Sequence, residues 1–271
     1  MKCAALQMVS SHDVRANLDA ASRLVRQAAR AGVELAVLPE YFCLLGQRDT
    51  DKLAARETPG AGPIQDTLAA LARETRMWLV GGTLPLATAD DPQRVFNSTL
   101  VFGPDGQQAA RYDKIHLFRF ERGAERYDES RVLRAGGQPQ AFTAIDRDGR
   151  AWRVGLSICY DLRFPELYRA LAADIWVVPS AFTHTTGQAH WELLLRARAV
   201  ENQCYVIAAA QGGLHSNGRQ TWGHSLLVDP WGEVLACQAQ GEGVAAAALS
   251  AQRLAEVRAQ LPALSHRVLP A

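Results

Sequence analysis

Three side chains that could act together in catalysis each stand at the end of an apolar stretch suited to a buried strand: Glu40, Lys114 and Cys159. Cys159 follows the apolar run 154–158 and precedes a turn-prone Tyr-Asp pair, and Pro165 can begin a helix beyond it. A turn between a strand and a helix can expose a nucleophile, and its backbone N–H groups lower the pKa of a thiol and stabilise an oxyanion. The pattern predicts a nucleophilic cysteine, although an isolated cysteine there is also typical of a small buried apolar residue.

Glu40 and Lys114 are the partners that such a cysteine requires. Glu40 follows the apolar pattern of 34–38, and Lys114 closes one arm of a predicted hairpin among aromatic and apolar residues. Each could also be an ordinary solvent-exposed side chain. Because strand ends on one edge of layered α/β folds lie close together, the three groups are predicted to share a pocket.

In that pocket Cys159 would be the nucleophile and Glu40 the general base. Lys114 and the backbone N–H of Tyr160 would stabilise the oxyanion, and the ammonium would also favour the thiolate.

The elements that must position these residues follow from hydrophobic periodicity. Helical spacing of apolar residues predicts helices at 14–31, 63–76, 165–172, 188–202 and 251–261. Short apolar runs predict strands at 2–8, 34–38, 77–83, 95–102, 108–114, 140–145, 151–157, 175–178, 205–210, 225–229, 233–237 and 243–249. The charged segment 120–137 has no clear period and is predicted to be a long functional excursion.

The order of these elements favours one α/β domain. Strands alternate with helices, and several neighbouring strands are joined by hairpin turns, so the sheets are expected to be mixed. We find no linker composition or repeat. The sequence therefore predicts a single domain over 1–271, with a C-terminal helix and arm at 251–271.

Composition narrows the possible partners and the compartment. A net charge of +1 without a basic run argues against nucleic acid as a partner, and the chain has no apolar run long enough for a membrane span. The N-terminus lacks a signal-peptide pattern. The five cysteines are scattered and not paired as CxxC, which favours reduced thiols in the cytoplasm. The histidine spacing is not typical of zinc, so no metal site is expected.

Three motifs, in order along the chain, resemble the catalytic motifs of the nitrilase (carbon–nitrogen hydrolase) superfamily: LPEYF (38–42), YDKIHLF (112–118) and GLSICYDLRFPELYR (155–169). The resemblance implies a four-layer α-β-β-α sandwich of the nitrilase type, with two mixed sheets flanked by helices, and a homodimer. It also implies a Glu40–Lys114–Cys159 triad that needs neither cofactor nor metal. Many members add a second glutamate near the lysine; Glu129 matches it best, and Glu121 is the competing choice.

Within the superfamily, the segments CYDLRFPE, HWELLLRARA and AAAQGG most resemble amidases that act on deaminated glutathione. This resemblance implies a thiol amidohydrolase that cleaves the amide of a small α-keto acid through a thioester on Cys159, releasing an amine or ammonia. Arg163 corresponds to an arginine that contacts substrate carboxyl or keto oxygens in such enzymes, although it could instead pair with Asp161 or Glu166. Thr185 and Tyr41 are further candidates for the substrate pocket.

Several alternatives stay open on the sequence. An ω-amidase acting on α-ketoglutaramate shares most of these motifs, and other amidases, carbamoylases and nitrilases use the same triad. A Cys–His hydrolase would use His184 or His224 as its base. A non-enzymatic redox sensor would use Cys159 as an oxidisable thiol. Glu40 and Lys114 argue against the sensor, which requires neither residue.

Overall fold

The computed structural model describes residues 1–123 and 125–268, so the last part of the predicted arm, 269–271, lies outside the described residues. The strands are β1 (Lys2–Gln7), β2 (Leu35–Val37), β3 (Trp78–Val80), β4 (Leu84–Ala87), β5 (Val95–Phe102), β6 (Gln108–Asp113), β7 (Arg119–Arg122), β8 (Glu125–Asp128), β9 (Leu133–Arg134), β10 (Gln140–Ile145), β11 (Ala151–Leu156), β12 (Ile175–Val177), β13 (Tyr205–Ala208), β14 (Gly212–Leu214), β15 (Gln220–Trp222), β16 (Ser225–Val228), β17 (Val234–Gln238) and β18 (Gly243–Ala248). The α-helices are α1 (Val14–Arg30), α2 (Asp51–Ala54), α3 (Pro63–Thr75), α4 (Pro165–Ala170), α5 (His184–Asn202) and α6 (Ala251–Gln260).

Two mixed sheets form the centre of the fold. The first has the order β18-β1-β2-β3-β5-β4, with β6 and β9 also paired to β5. The second has the order β10-β11-β12-β13-β16-β17. In each sheet three central strands are parallel, β1-β2-β3 and β11-β12-β13, and antiparallel strands flank them.

The period-two alternation of strand side chains separates the layers. In β1, Cys3 and Ala5 pack with buried residues of the second sheet, whereas Ala4 and Leu6 pack with buried residues of α1 and α3. On the outer side of the second sheet, Trp176 contacts Tyr168 of α4 with ring centroids 4.5 Å apart. The layers are therefore helix, sheet, sheet and helix, and the predicted α-β-β-α sandwich is confirmed.

Most predicted elements are present within a few residues of their expected bounds, but two differ. The helix predicted from 188 begins at His184, because the Thr183 side chain caps it by accepting from the Thr186 N–H. The prediction of an irregular excursion over 120–137 is wrong in part, since β7 and β8 form a hairpin with Phe120 opposite Tyr127. Charged residues occupy most other positions of that hairpin, which leaves little alternation to detect.

Among the residues that the structure describes, no helix is both long and apolar enough to cross a membrane.

Candidate active site

Glu40 lies just beyond the C-terminal end of β2, where the chain turns at Tyr41 with a left-handed φ of 57°. The Tyr41 N–H donates to Thr83 Oγ1 at 2.8 Å, and Gln211 Nε2 donates to the Glu40 carbonyl at 3.1 Å. The Glu40 carboxylate is buried and accepts from Asn97 Nδ2 at 2.9 Å. These contacts hold the carboxylate in one orientation, shielded from bulk water.

Lys114 follows β6 directly, and its ammonium contacts two carboxylates. Its backbone N–H donates to the Asn97 carbonyl at 3.0 Å, which ties the lysine to β5. Its Nζ donates to Glu40 Oε1 at 2.9 Å and to the two Glu129 oxygens at 2.9 and 2.8 Å. The Lys114 side chain has no exposed surface, so these carboxylates take the place of water around the charge.

Glu129 is the glutamate that the structure brings to Lys114. It lies on a 3₁₀ turn after β8, and it also accepts from Tyr41 Oη at 2.7 Å. Glu121, the competing choice, is exposed on β7 and hydrogen-bonds an arginine of the facing strand. The geometry therefore separates the two glutamates that the sequence left open.

Burial and charge act against each other in this cluster. Burial alone would lower the pKa of Lys114, but the charges of Glu129 and Glu40 outweigh it and raise that pKa above its ordinary value. Burial would raise the pKa of Glu129, but the Lys114 charge and the hydrogen bonds that the carboxylate accepts hold that pKa below its ordinary value. At neutral pH Lys114 is a fixed cation and Glu129 a fixed anion.

Cys159 occupies the predicted turn between β11 and α4. Its φ is 49°, a left-handed value that a non-glycine residue keeps only where its surroundings impose it. The Cys159 N–H donates to the Pro179 carbonyl at 2.9 Å, and a 3₁₀ turn, Cys159–Arg163, carries the chain towards α4. The turn is thus held in place by Pro179, which lies just after β12.

Buried Asp161 joins this turn to the segment that carries Lys114. It accepts from the Ile158 N–H at 2.9 Å and from the His116 N–H at 3.0 Å. His116 Nδ1 lies 2.7 Å from the same carboxylate, and Tyr112 Oη donates to it at 2.7 Å. Because Tyr112 and His116 flank Lys114 in the chain, Asp161 fixes the lysine segment relative to the cysteine turn.

Lys114 lowers the pKa of the Cys159 thiol, as predicted, but burial outweighs this effect and a net lowering is not found. Burial raises this pKa well above its ordinary value, and the charge of Glu40 adds to the rise, while Lys114 opposes it. A thiolate in this site would lose its hydration and would lie beside the negative charge of Glu40. Cys159 therefore rests as a neutral thiol beside a carboxylate that can take its proton.

A small cavity lies over these groups. Its lining combines the reactive side chains, an aromatic wall and two arginines: Glu40, Phe118, Glu129, Cys159, Tyr160, Arg163, Ala181, Phe182, Thr183, Thr186 and Arg219. Phe118 and Tyr160 meet edge to face with ring centroids 5.2 Å apart, which makes one wall rigid and apolar. The cavity suits a small polar substrate that must be kept away from bulk water.

The predicted pocket residues differ in where they lie. Arg163 lines the cavity, with its guanidinium 5.5 Å from the Phe182 ring centre. The threonines among the described lining residues are Thr183 and Thr186, whereas Thr185 lies between them on the first turn of α5. Tyr41 hydrogen-bonds Glu129 behind the cavity and is not among those lining residues.

The alternative pairing of Arg163 is not found. Asp161 is occupied by Ile158, His116 and Tyr112, and within the described chain no carboxylate lies within 4.0 Å of the Arg163 guanidinium. Arg163 Nη1 lies 3.4 Å from His190 Nδ1, but no carboxylate of the described chain neutralises the guanidinium, so an anionic ligand can pair with it.

The two histidines of the Cys–His alternative lie elsewhere. His184 meets the Trp222 ring edge to face at 5.1 Å, and His224 stacks on the same ring at 4.4 Å. The lining residues described for the cavity include no histidine. The geometry favours Glu40 as the base that is near Cys159.

Sequence reasoning missed three residues at the site. Asn97 contacts Glu40, and Asp161 joins the Cys159 turn to the segment that carries Lys114. Arg219, which lies in the chain between β14 and β15, lines the cavity. Asn97 had a detectable signal, because a lone amide in the apolar strand 95–102 must find a buried partner. Arg219 had none, since it lies in a short polar turn.

Within the described residues, no group of three or more histidine, cysteine, aspartate or glutamate side chains could hold a metal ion.

The chain is similar in sequence to characterised proteins over nearly its whole length. A profile of the carbon–nitrogen hydrolase family matches residues 2–259. Deaminated glutathione amidase from Synechocystis sp. is 42% identical over 269 residues, which cover 98% of this chain and 97% of that protein.

Solved structures agree with this similarity. The Caenorhabditis elegans NitFhit protein superposes with a TM-score of 0.88 at 37% identity, covering 98% of this chain and 65% of that chain. Saccharomyces cerevisiae Nit3, a member of branch 10 of the nitrilase superfamily, superposes with a TM-score of 0.87 at 30% identity, covering 99% of this chain and 97% of that chain.

Proposed function

The chain belongs to the carbon–nitrogen hydrolase family, and from this premise we propose that it hydrolyses the amide of deaminated glutathione with Cys159 as its nucleophile. The observation that carries the proposal is the contact of one buried ammonium, Lys114, with two carboxylates beside a cysteine held in a left-handed turn. Acyl transfer requires these groups: a nucleophile, a base next to it and a fixed cation where the oxyanion develops.

The first half of the reaction forms a thioester. Cys159 Sγ attacks the amide carbon while Glu40 takes the thiol proton, which suits a thiol whose pKa is raised. The charge moves to the amide oxygen, where the Lys114 ammonium and the Tyr160 N–H stabilise it. Glu40 then gives its proton to the leaving nitrogen, the C–N bond breaks, and the amine departs.

The second half restores the thiol. Glu40 takes a proton from water as the water oxygen attacks the thioester carbon, and the same donors stabilise the new oxyanion. The C–S bond breaks, the sulfur recovers its proton from Glu40, and the acid product leaves. Glu129 does not exchange protons in this scheme; its bonds to Lys114 and Tyr41 hold the cation in place.

The substrate assignment has two supports. The Synechocystis relative is a deaminated glutathione amidase. Arg163, which has no paired carboxylate among the described residues, offers a guanidinium for the α-keto carboxylate of the acyl half.

An assay that measures the release of α-ketoglutarate from deaminated glutathione tests the substrate assignment directly. We expect a higher kcat/KM for deaminated glutathione than for α-ketoglutaramate. A preference for α-ketoglutaramate would instead assign the ω-amidase activity, and absence of turnover on both would contradict the proposal.

Replacing the nucleophile tests the mechanism. We expect Cys159→Ala to abolish turnover with little change in the cooperative unfolding curve, and intact-protein mass spectrometry of the wild type to detect an acyl adduct at Cys159. Cys237→Ala is the matched control, because Cys237 is an exposed cysteine outside the cavity and its loss should leave kcat close to wild type. Residual turnover by Cys159→Ala near the wild-type rate would refute the thioester route.

We also propose a homodimer in the cytoplasm. Exposed apolar side chains Leu193 and Val200 lie one above the other on α5, and the exposed Trp231 precedes a glycine that lies against Val200. All five cysteines are free, as expected where thiols stay reduced.

A further inference from the structure

Arg219 lies where the catalytic cavity meets a second depression. It lines the cavity with Cys159, and it also lines an outer depression that we call the outer basin. The outer basin is mainly polar, and its lining includes Arg48, Lys52 and Arg126. Arg219 is the residue that the described linings of the cavity and the outer basin share.

The Arg219 guanidinium is only partly satisfied by the protein. Its Nη2 donates to the Ala181 carbonyl at 3.0 Å, and its Cζ lies 5.2 Å from the centre of the Tyr127 ring. Its Nε is buried and has no hydrogen-bond acceptor among the described residues. A buried N–H without an acceptor is costly, so this donor is one that a ligand would satisfy.

The other cations of the outer basin are each paired. Arg48 Nε lies 3.3 Å from Asp51, Lys52 Nζ lies 3.7 Å from Asp49, and Arg126 hydrogen-bonds Glu121. No carboxylate of the described chain lies within 4.0 Å of Arg219. Among the described cations that line the basin, Arg219 is therefore the one without a carboxylate partner, and it makes the inner end of the basin attractive to an anion.

We propose that Arg219 binds a carboxylate on the amine half of the substrate and so selects amides whose leaving group carries a negative charge. The inference rests on the proposed function. A guanidinium binds a carboxylate with charge-assisted hydrogen bonds, and the Arg219 N–H groups that are not donated to Ala181 can make them. The Tyr127 ring beneath it keeps the guanidinium plane in place.

The two candidate substrates differ in the number of carboxylates that they carry. Deaminated glutathione has a carboxylate at each end: the α-keto acid on the acyl half and the glycine carboxylate on the amine half. α-Ketoglutaramate has only the first, because its leaving group is ammonia. Arg163 would bind the end that the two substrates share, and Arg219 the end that only the longer one has.

The test compares deaminated glutathione with its analogue in which the glycine carboxylate is a carboxamide. The measured quantity is the ratio of kcat/KM for the acid to that for the carboxamide. We expect the wild type to prefer the acid by roughly 10- to 100-fold, as for one hydrogen-bonded charge pair. We expect Arg219→Met to bring the ratio close to one, mainly through KM, and Arg219→Lys to restore part of it.

Two controls fix the interpretation. Arg94→Met removes an exposed cation that is paired with Asp91 and lines neither the cavity nor the outer basin, and its ratio should stay near the wild-type value. Arg163→Met should lower kcat/KM for the acid and the carboxamide alike. A wild-type ratio near one, or a ratio unchanged in Arg219→Met, would overturn the role of Arg219. Failure of the wild type to hydrolyse both compounds would instead overturn the proposed function.

Discussion

The Lys114 ammonium hydrogen-bonds both Glu40 and Glu129, so two carboxylates surround one positive charge. An ammonium paired with only one carboxylate would lose its counter-charge, and could shift, when that carboxylate takes up a proton. In the proposed mechanism, the second carboxylate keeps the ammonium charged and in place when Glu40 becomes protonated, so Lys114 can still stabilise the oxyanion at that step.

We expect Glu129→Gln to lower kcat by roughly 10- to 100-fold with a smaller effect on KM, somewhat less than the about 10²- to 10³-fold lost when an oxyanion donor itself is removed. The amide can still hydrogen-bond Tyr41 or Lys114, but it no longer compensates the buried ammonium. Steady-state kinetics measure the effect. Glu121→Gln is the matched control, because its exposed carboxylate lies outside the cavity, and equal losses in the two variants would contradict the assignment.

The ion pair between Glu129 and Lys114 makes a pH-dependent contribution to the stability of the folded chain. The folded-state pKa of Glu129 lies below its ordinary value of 4.5, so its ionised form stabilises the folded chain above that pH. The stabilisation is lost as the pH falls through the folded-state pKa. We expect Glu129→Gln to be about 1–3 kcal/mol less stable than wild type at pH 7, and this difference to shrink on acidification. Urea unfolding at a series of pH values measures it; a difference independent of pH would contradict the ion pair.

At this scale the sequence predicted the positions of the reactive side chains but not their electrostatics. Glu40, Lys114 and Cys159 could be selected because each ends an apolar strand pattern. The rise in the pKa of the Cys159 thiol could not be predicted, since it depends on how deeply the folded chain buries the thiol and on the nearby charge of Glu40. Glu129 and Glu121 could not be separated either, because their choice depends on where a charged hairpin turns.

At the scale of elements, the strand ends are held together by close backbone contacts. Gly82 follows β3 and has a left-handed φ of 56°. A Cβ at this position would lie 2.2 Å from the carbonyl oxygen of Pro39, the residue before Glu40. The glycine thus lets the chain after β3 approach the turn that presents the base.

We expect Gly82→Ala to destabilise the protein by more than about 2 kcal/mol and to lower kcat, because the added methyl must displace Pro39 and with it Glu40. Gly149→Ala is the control: Gly149 also has a left-handed φ, 81°, but a Cβ there would meet no atom within 4 Å. It should show only the backbone penalty, about 1–2 kcal/mol, with kcat unchanged. Matching losses of stability and kcat in the two variants would contradict the steric argument.

Elements with strong periodicity were predictable, and those fixed by long-range contacts were not. Apolar residues on one side of α1 and α3, and the runs in β5 and β13, gave clear local signals. The β7–β8 hairpin, which presents Tyr127 to Arg219, lacks such a signal because its residues are mostly charged. Short strands such as β14 and β15 are formed by pairing with each other rather than by their own propensity.

At the scale of the whole molecule, the site is assembled across the two sheets. Glu40 and Lys114 extend from the first sheet and Cys159 from the second, so the packing between the sheets sets their separation. Asp161 reinforces that packing at the site by joining the cysteine turn to the lysine segment. The motif order along the chain could not reveal this division, because strand order within a sheet is a property of the folded chain.

The surface on which the proposed dimer depends lies on α5, outside the second sheet, and on the turn after β16. Leu193 is 68% exposed and Val200 47% exposed on α5, and Trp231 is 56% exposed in the turn beside them. Arg196 of the same helix face donates to the Gly232 carbonyl at 2.8 Å, which holds this turn against the helix. A rigid apolar centre with charged residues around it is the composition expected of a protein interface.

We expect the wild type to sediment as a dimer at micromolar concentration, and Leu193→Glu to shift it towards monomer, because a buried unpaired carboxylate would weaken an interface of about 1,200–2,000 Å². Leu214→Glu is the matched control: Leu214 is 70% exposed but lies on β14 rather than on α5 or the turn at Trp231, so its dimer should dissociate no more readily than that of the wild type. Sedimentation velocity over a concentration series measures both. A wild-type monomer would contradict the dimer itself, and a Leu193→Glu protein as dimeric as wild type would place the interface on another face.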